Sequence, residues 1–103
     1  MSERLDQLTK LYEADPTDAF VTYGIALEHA KADAPDQAVE WLEKTLAIDP
    51  LYCYAFYQQA RIISEQGDTA RARQILENGM AAAKQAGDDH AQSEMADLME
   101  TLN

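Results

Sequence analysis

The chain has 103 residues, 47% of them apolar, and its 19 acidic and eight basic residues give a formal net charge of −11. This length predicts one domain, and the apolar fraction excludes a wholly disordered chain. No apolar stretch is long enough to span a membrane, and the few cations on so acidic a surface exclude nucleic-acid binding, which needs a basic footprint.

Apolar residues at steps of three and four predict the first two helices. The first runs through Leu5 to Tyr12 and ends before Asp15-Pro16, because proline cannot donate the helical backbone bond. The second is expected from Asp18 to Ala32, with the Asp18 carboxylate accepting from the exposed N–H groups of its first turn.

The same spacing continues to the C-terminus. A third helix is expected from the break at Pro35-Asp36 to Asp49-Pro50, and a fourth covers Tyr52 to Gln66. Gly67-Asp68 breaks the chain before a fifth segment. The last segment, Asp88 to Leu102, has Asp88 or Asp89 as its cap and one apolar stripe, formed by Ala91, Met95, Leu98, Met99 and Leu102.

The chain repeats itself with a period of 34 residues. This interval separates Asp15-Pro16 from Asp49-Pro50, and it also separates two pairs of small residues on the predicted helices, Ala26 with Ala60 and Ala38 with Ala72. Small residues let two helices approach closely. One such helix pair cannot bury its own apolar face, so neighbouring units are expected to stack.

Two helices per 34 residues with a terminal Asp-Pro resemble the tetratricopeptide repeat. The motif positions matched are Ile25, Ala26, Ala38, Leu42 and Pro50 in a unit beginning at Ala19, and Phe56, Ala60, Ile63, Ala72, Leu76 and Gly79 in a unit beginning at Cys53. Thr22, His29, Gln59 and Lys84 depart from the motif.

The resemblance implies an all-α fold, a right-handed α-solenoid of antiparallel helix pairs with five to six helices. We predict a single domain over 1–103, with an N-terminal half-repeat or cap at 1–15, repeats at 19–52 and 53–86, and a C-terminal capping helix at 88–103.

In this family the first helix of each unit lines a concave side that receives a peptide segment or helix of a partner protein. By position, the resemblance assigns to this aromatic groove Phe20, Tyr23, Gly24, Leu27 and Lys31 of one unit, and Tyr54, Tyr57, Gln58, Arg61 and Glu65 of the next. Aromatic and Arg side chains are the types that dominate binding energies. The alternative is that the rings complete a thin core or contact the caps.

Some members grip acidic peptide ends with a clamp of Lys, Asn and Arg in this groove. The corresponding places here hold Tyr23, Leu27 and Gln58, so an acidic chaperone tail is not the expected ligand. We expect another protein as the partner, and no nucleic acid or membrane.

No constellation of residues predicts catalysis, a cofactor or a metal. His29 stands where the motif has an aromatic residue and is expected to pack against the next helix. His90 with Asp88, Asp89 and Glu94 could be drawn as a metal site, but one imidazole is weak grounds for it. Cys53 begins a helix without an identifiable base. We therefore expect a protein that is not an enzyme.

Two hypotheses remain: a peptide-binding module, and a structural homodimer that pairs through an incompletely capped end. Trp41 is expected to cover the next unit's first helix or, alternatively, to form a self-association patch. The acidity fits a basic partner, plain solubility or a salt-rich host. The N-terminus lacks a secretory pattern, and Cys53 has no internal disulfide partner, so we expect a cytoplasmic protein.

Overall fold

The computed structural model of the protein describes residues 2–102, and within that range it contains six α-helices and no strand. The helices are α1 Glu3–Ala14, α2 Ala19–Lys31, α3 Pro35–Ile48, α4 Cys53–Glu65, α5 Thr69–Ala86 and α6 Asp89–Glu100. The predicted all-α class with five to six helices is confirmed.

The helices group into two compact units, one ending at Pro50 and one beginning at Leu51. We call α1–α3 the first unit and α4–α6 the second unit. Each unit therefore contains three helices.

In the first unit, α2 runs antiparallel to both of its neighbours. Ser2 at the start of α1 bonds Glu28 near the end of α2, and Thr22 near the start of α2 contacts Thr45 near the end of α3 through hydroxyls 2.8 Å apart. The apolar centre consists of Leu8, Val21 and Ile25, with Leu5, Tyr12 and Trp41 packed around them.

Trp41 packs inside the first unit, against Tyr12 of α1, a contact that the sequence did not predict. Its ring meets the Tyr12 ring edge to face with centroids 4.9 Å apart, and the Lys44 ammonium lies 4.0 Å from its centroid. The reason is the three-residue connection after α2, which turns α3 back so that the Trp41 side chain reaches the core formed by α1 and α2.

In the second unit, α5 packs against both α4 and α6. Gly79 of α5 lies against Phe56 of α4 and Met95 of α6. Arg73 Nη2, near the start of α5, donates to the Leu102 carbonyl 3.0 Å away, just beyond α6, so these two helices are antiparallel. Of the predicted stripe on α6, Ala91 and Met95 are buried, and the remaining three side chains are half-buried.

The small residues and caps lie where the sequence indicates. Ala26, Ala38, Ala60 and Ala72 are all at most 1% exposed, as close helix packing requires. Asp18 accepts from the Phe20 N–H at 3.0 Å, and Asp88 accepts from the Ala91 N–H at 3.0 Å. Across the described residues, no helix has the length and apolar character that crossing a membrane needs.

Candidate functional site

The predicted binding residues of α2 differ in exposure. Phe20 stands in the first turn with 66% of its surface exposed, while Tyr23 and Leu27, on the following turns, are half-buried. Gly24 faces α1: a Cβ at this position would lie 3.3 Å from both Leu8 methyl carbons. The assignment of Gly24 to the groove is therefore wrong, because α1 covers this part of α2.

Tyr54 and Tyr57 form an aromatic pair on α4. Their ring centroids are 6.3 Å apart with the planes at 68°, an edge-to-face arrangement. Both side chains are half-buried, so each ring is partly packed against the protein and partly exposed to solvent. They therefore present fixed, partly exposed aromatic surface beside α6.

Arg61 is held along its own helix. Its Nε and Nη2 donate to Gln58 Oε1 at 3.1 and 2.8 Å, and Nη1 lies 3.3 Å from Glu65 Oε1. Such (i, i+3) and (i, i+4) contacts fix the guanidinium, which reduces the side-chain entropy that binding a guest would cost. Gln58 and Arg61 thus form a preset polar strip on α4.

A cavity of about 350 Å³ opens between α4 and α6 of the second unit. Its lining consists of Tyr57, Glu94, Asp97, Leu98 and Thr101. The sequence interpretation gave α6 only a capping role and missed its four lining residues. Their spacing of three, four and seven is the signal that could have found them, since it places them on one helix face.

Carboxylates next to this cavity act on Tyr54. Burial first, then the charges of Glu94 and Asp88, raise the pKa of the Tyr54 phenol, and its hydroxyl is hydrogen-bonded to Glu94. The phenol therefore stays protonated and donates to Glu94. The same carboxylate pairs with His90 Nε2 one turn earlier on α6.

The remaining residues that the sequence singled out do not form a metal-binding group among residues 2–102. Asp88 caps α6, and His90 pairs with Glu94 instead of converging with Asp88 and Asp89. Within residues 2–102, no three His, Cys, Asp or Glu side chains are grouped as metal ligands. The Cys53 thiol is buried and donates to the Leu51 carbonyl at 3.3 Å. His29 is half-buried.

Comparisons with known proteins give one consistent family. A tetratricopeptide-repeat family model matches residues 41–74. The TPR repeat-containing protein PA0015 of Pseudomonas aeruginosa is 27% identical over 99 residues, which is 96% of this chain and 94% of that protein. The predicted resemblance to the tetratricopeptide-repeat family is confirmed.

Solved structures extend this likeness over nearly the whole length of the chain. Protein BPP2914 of Bordetella parapertussis is 26% identical with a TM-score of 0.84, covering 98% of this chain and 88% of that one. The TPR2B domain of yeast Sti1, solved in a complex with pHsp70, shares the fold at 17% identity and a TM-score of 0.75, covering 91% and 81%. The predicted fold class, the tetratricopeptide-like α-solenoid, is confirmed.

Proposed function

We propose that this tetratricopeptide-repeat protein is an interaction module that binds a segment of another protein through the exposed faces of α2 and α4. The family's folds are typically interaction modules rather than enzymes. The TPR2B domain of Sti1, which shares the fold, was solved in complex with pHsp70.

The observation that carries the proposal is the partly exposed aromatic surface at predicted binding positions. Phe20 keeps two-thirds of its surface exposed, and Tyr57 borders an open cavity. On α4, next to Tyr57, Arg61 and Gln58 offer a preset strip of donors and acceptors. Rigid aromatic anchors next to fixed polar groups suit peptide binding, because little side-chain freedom is lost when the guest docks.

The test is selection from a displayed library of short random peptides, followed by affinity measurement on the enriched peptides. Wild type should enrich a consistent motif, and the double variant Tyr23→Ala, Tyr57→Ala should bind it about tenfold more weakly or worse, since anchor residues contribute more than 1 kcal/mol each. Unchanged affinity in the double variant would overturn the proposal.

Folding must be separated from binding in this test, because Tyr23 and Tyr57 are half-buried. Phe20→Ala supplies a second variant whose ring is largely exposed and whose loss should leave the melting temperature almost unchanged. Leu11→Ala is the matched control: Leu11 is 55% exposed in the same unit but lies outside the predicted site. We expect Phe20→Ala to weaken peptide binding and Leu11→Ala to leave it intact.

Self-association is the second candidate function, and the exposure of Leu11 and Phe20 favours it. Both apolar side chains stand near the connection between α1 and α2. Sedimentation across a dilution series separates the two functions. A dimer that dissociates on dilution and is weakened by both Leu11→Ala and Phe20→Ala supports pairing, whereas a monomer at all concentrations supports the binding module.

A further inference from the structure

The cavity between α4 and α6 combines an apolar wall with an acidic rim. Tyr57 and Leu98 supply the apolar part, while Glu94 and Asp97 supply two carboxylates. The lining contains no lysine, arginine or histidine. This composition matches a ligand group that has a hydrocarbon stem and a cationic end.

The two carboxylates differ in how far they are engaged. Glu94 already pairs with His90 and accepts from the Tyr54 hydroxyl. Asp97 is exposed, and no side chain among residues 2–102 bonds or pairs with it. Asp97 is therefore the carboxylate that can take a new cationic partner without losing one that it already has.

The net charge of the chain favours a positively charged ligand at this cavity. The chain carries −11 overall, so an acidic segment or a second copy of this chain would meet repulsion at this rim. A basic segment would meet attraction. Lys and Arg side chains bury their methylene stems against apolar surface while the charged head stays near water, and a guanidinium also stacks on an aromatic face.

We propose that the partner segment bound at α4 is basic and inserts one Lys or Arg side chain into the α4–α6 cavity. The stem packs between Tyr57 and Leu98, and the cation lies at Asp97 and Glu94. This inference rests on the proposed function, since it names the chemistry of the segment that α4 receives.

The test uses two synthetic peptides of the same length, one alternating Leu with Arg and one alternating Leu with Glu, added to the full-length isotope-labelled protein. Amide chemical shifts measure binding. The Leu/Arg peptide should shift the Tyr57, Leu98 and Thr101 signals saturably, and its affinity should fall as salt rises from about 0.05 to 0.5 M. The Leu/Glu peptide should leave these signals in place.

Asp97→Asn should lower the affinity for the Leu/Arg peptide roughly two- to fivefold, the range expected for a solvent-exposed ion pair. Glu100→Gln is the matched control, because it removes the same charge from an exposed residue of α6 that does not line the cavity. Equal effects of the two substitutions, equal binding of the two peptides, or unsaturable shifts spread over all acidic surfaces would each overturn the inference.

This test distinguishes failure of the inference from failure of the proposed function. In one outcome, the Leu/Arg and Leu/Glu peptides both bind at Tyr57 despite their opposite charges, and Tyr57→Ala abolishes that binding. The interaction module then stands and the basic partner is excluded. If library selection on wild type yields no peptide that binds α2 or α4, the proposed function itself fails.

Discussion

Glu28 is a carboxylate with only 8% of its surface exposed, and its three partners come from both helices, from the start of α1 and the end of α2. Ser2 Oγ donates to it at 3.0 Å, and the Lys31 ammonium and Arg4 guanidinium lie 3.3 and 3.8 Å away. Burial raises the pKa of Glu28, but the bonds from Ser2 and Lys31 and the two cations outweigh it, so the pKa lies below its ordinary 4.5.

The sign of this shift predicts how Glu28 contributes to stability. The pKa of this carboxylate is lower in the folded state than in the unfolded state. Its charge therefore stabilises the fold at pH values above the unfolded-state pKa, and this contribution is lost as the pH falls through the folded-state pKa. We expect Glu28→Gln to destabilise the protein at pH 7, with the gap to wild type closing as pH drops below about 4.5. Denaturant unfolding at a series of pH values measures the gap.

Glu40→Gln provides the control for that experiment, because Glu40 is exposed on α3 and its side chain makes no hydrogen bond or ion pair within the described part of the chain. Its difference from wild type should be small and nearly flat with pH. A Glu28→Gln gap that is equally flat would mean that the carboxylate charge does not hold α1 to α2.

The buried Thr22–Thr45 pair shows how a polar departure from the repeat motif is accommodated at the residue scale. Each hydroxyl also lies within hydrogen-bond reach of a carbonyl in its own helix, Ala19 for Thr22 at 3.0 Å and Trp41 for Thr45 at 2.9 Å. Two hydrogens serve three contacts, so one hydroxyl donates to the other and the second donates to backbone. Both buried groups are satisfied in either direction.

At the scale of the helices, the two glycines inside α2 and α5 have different surroundings. A Cβ on Gly79 would stand 2.6 Å from both Phe56 Cβ and Met95 Sδ, and Phe56 Cβ is fixed to its backbone. A Cβ on Gly24 would stand 3.3 Å from the Leu8 methyl carbons, which are the mobile end of a side chain.

The changes in the free energy of unfolding caused by Gly79→Ala and Gly24→Ala should therefore differ in sign or size. This holds although alanine favours a helix over glycine by about 1 kcal/mol in both places. We expect Gly79→Ala to destabilise by about 1–3 kcal/mol, because overpacking forces α5 away from α4 and α6. Gly24→Ala should be close to neutral. Thermal and denaturant unfolding of the two variants measure this, and a stabilised Gly79→Ala would contradict the packing of α5.

The helices could be predicted from sequence because their signals are local. Apolar spacing, the caps Asp18 and Asp88, and the proline and glycine stops each act within a few residues. The residues that line the cavity could not be predicted, because the side of α6 that faces α4 is determined by how both helices pack against α5. The contact of Trp41 with Tyr12 was missed for the same reason: periodicity shows that a helix has an apolar face but not which neighbour covers it.

At the scale of the whole molecule, the net charge of −11 opposes compactness. Added salt screens this repulsion, so we expect the melting temperature to rise between about 0.05 and 0.5 M NaCl, with about 4–8 °C for each 1 kcal/mol of repulsion removed. A triple variant, Glu40→Gln, Glu77→Gln and Glu100→Gln, removes three exposed charges and should show a weaker dependence on salt. A melting temperature that is flat or falls with salt would contradict self-repulsion.

Trp41 is the chain's single tryptophan, and its ring packs in the first unit, against Tyr12 and the Leu8 core. Its fluorescence therefore reports the packing of α1–α3, whereas circular dichroism at helical wavelengths sums both units. The protein thus carries a built-in optical label for one half of its chain. Overlaying the two signals during unfolding measures directly whether its two units melt as one cooperative body.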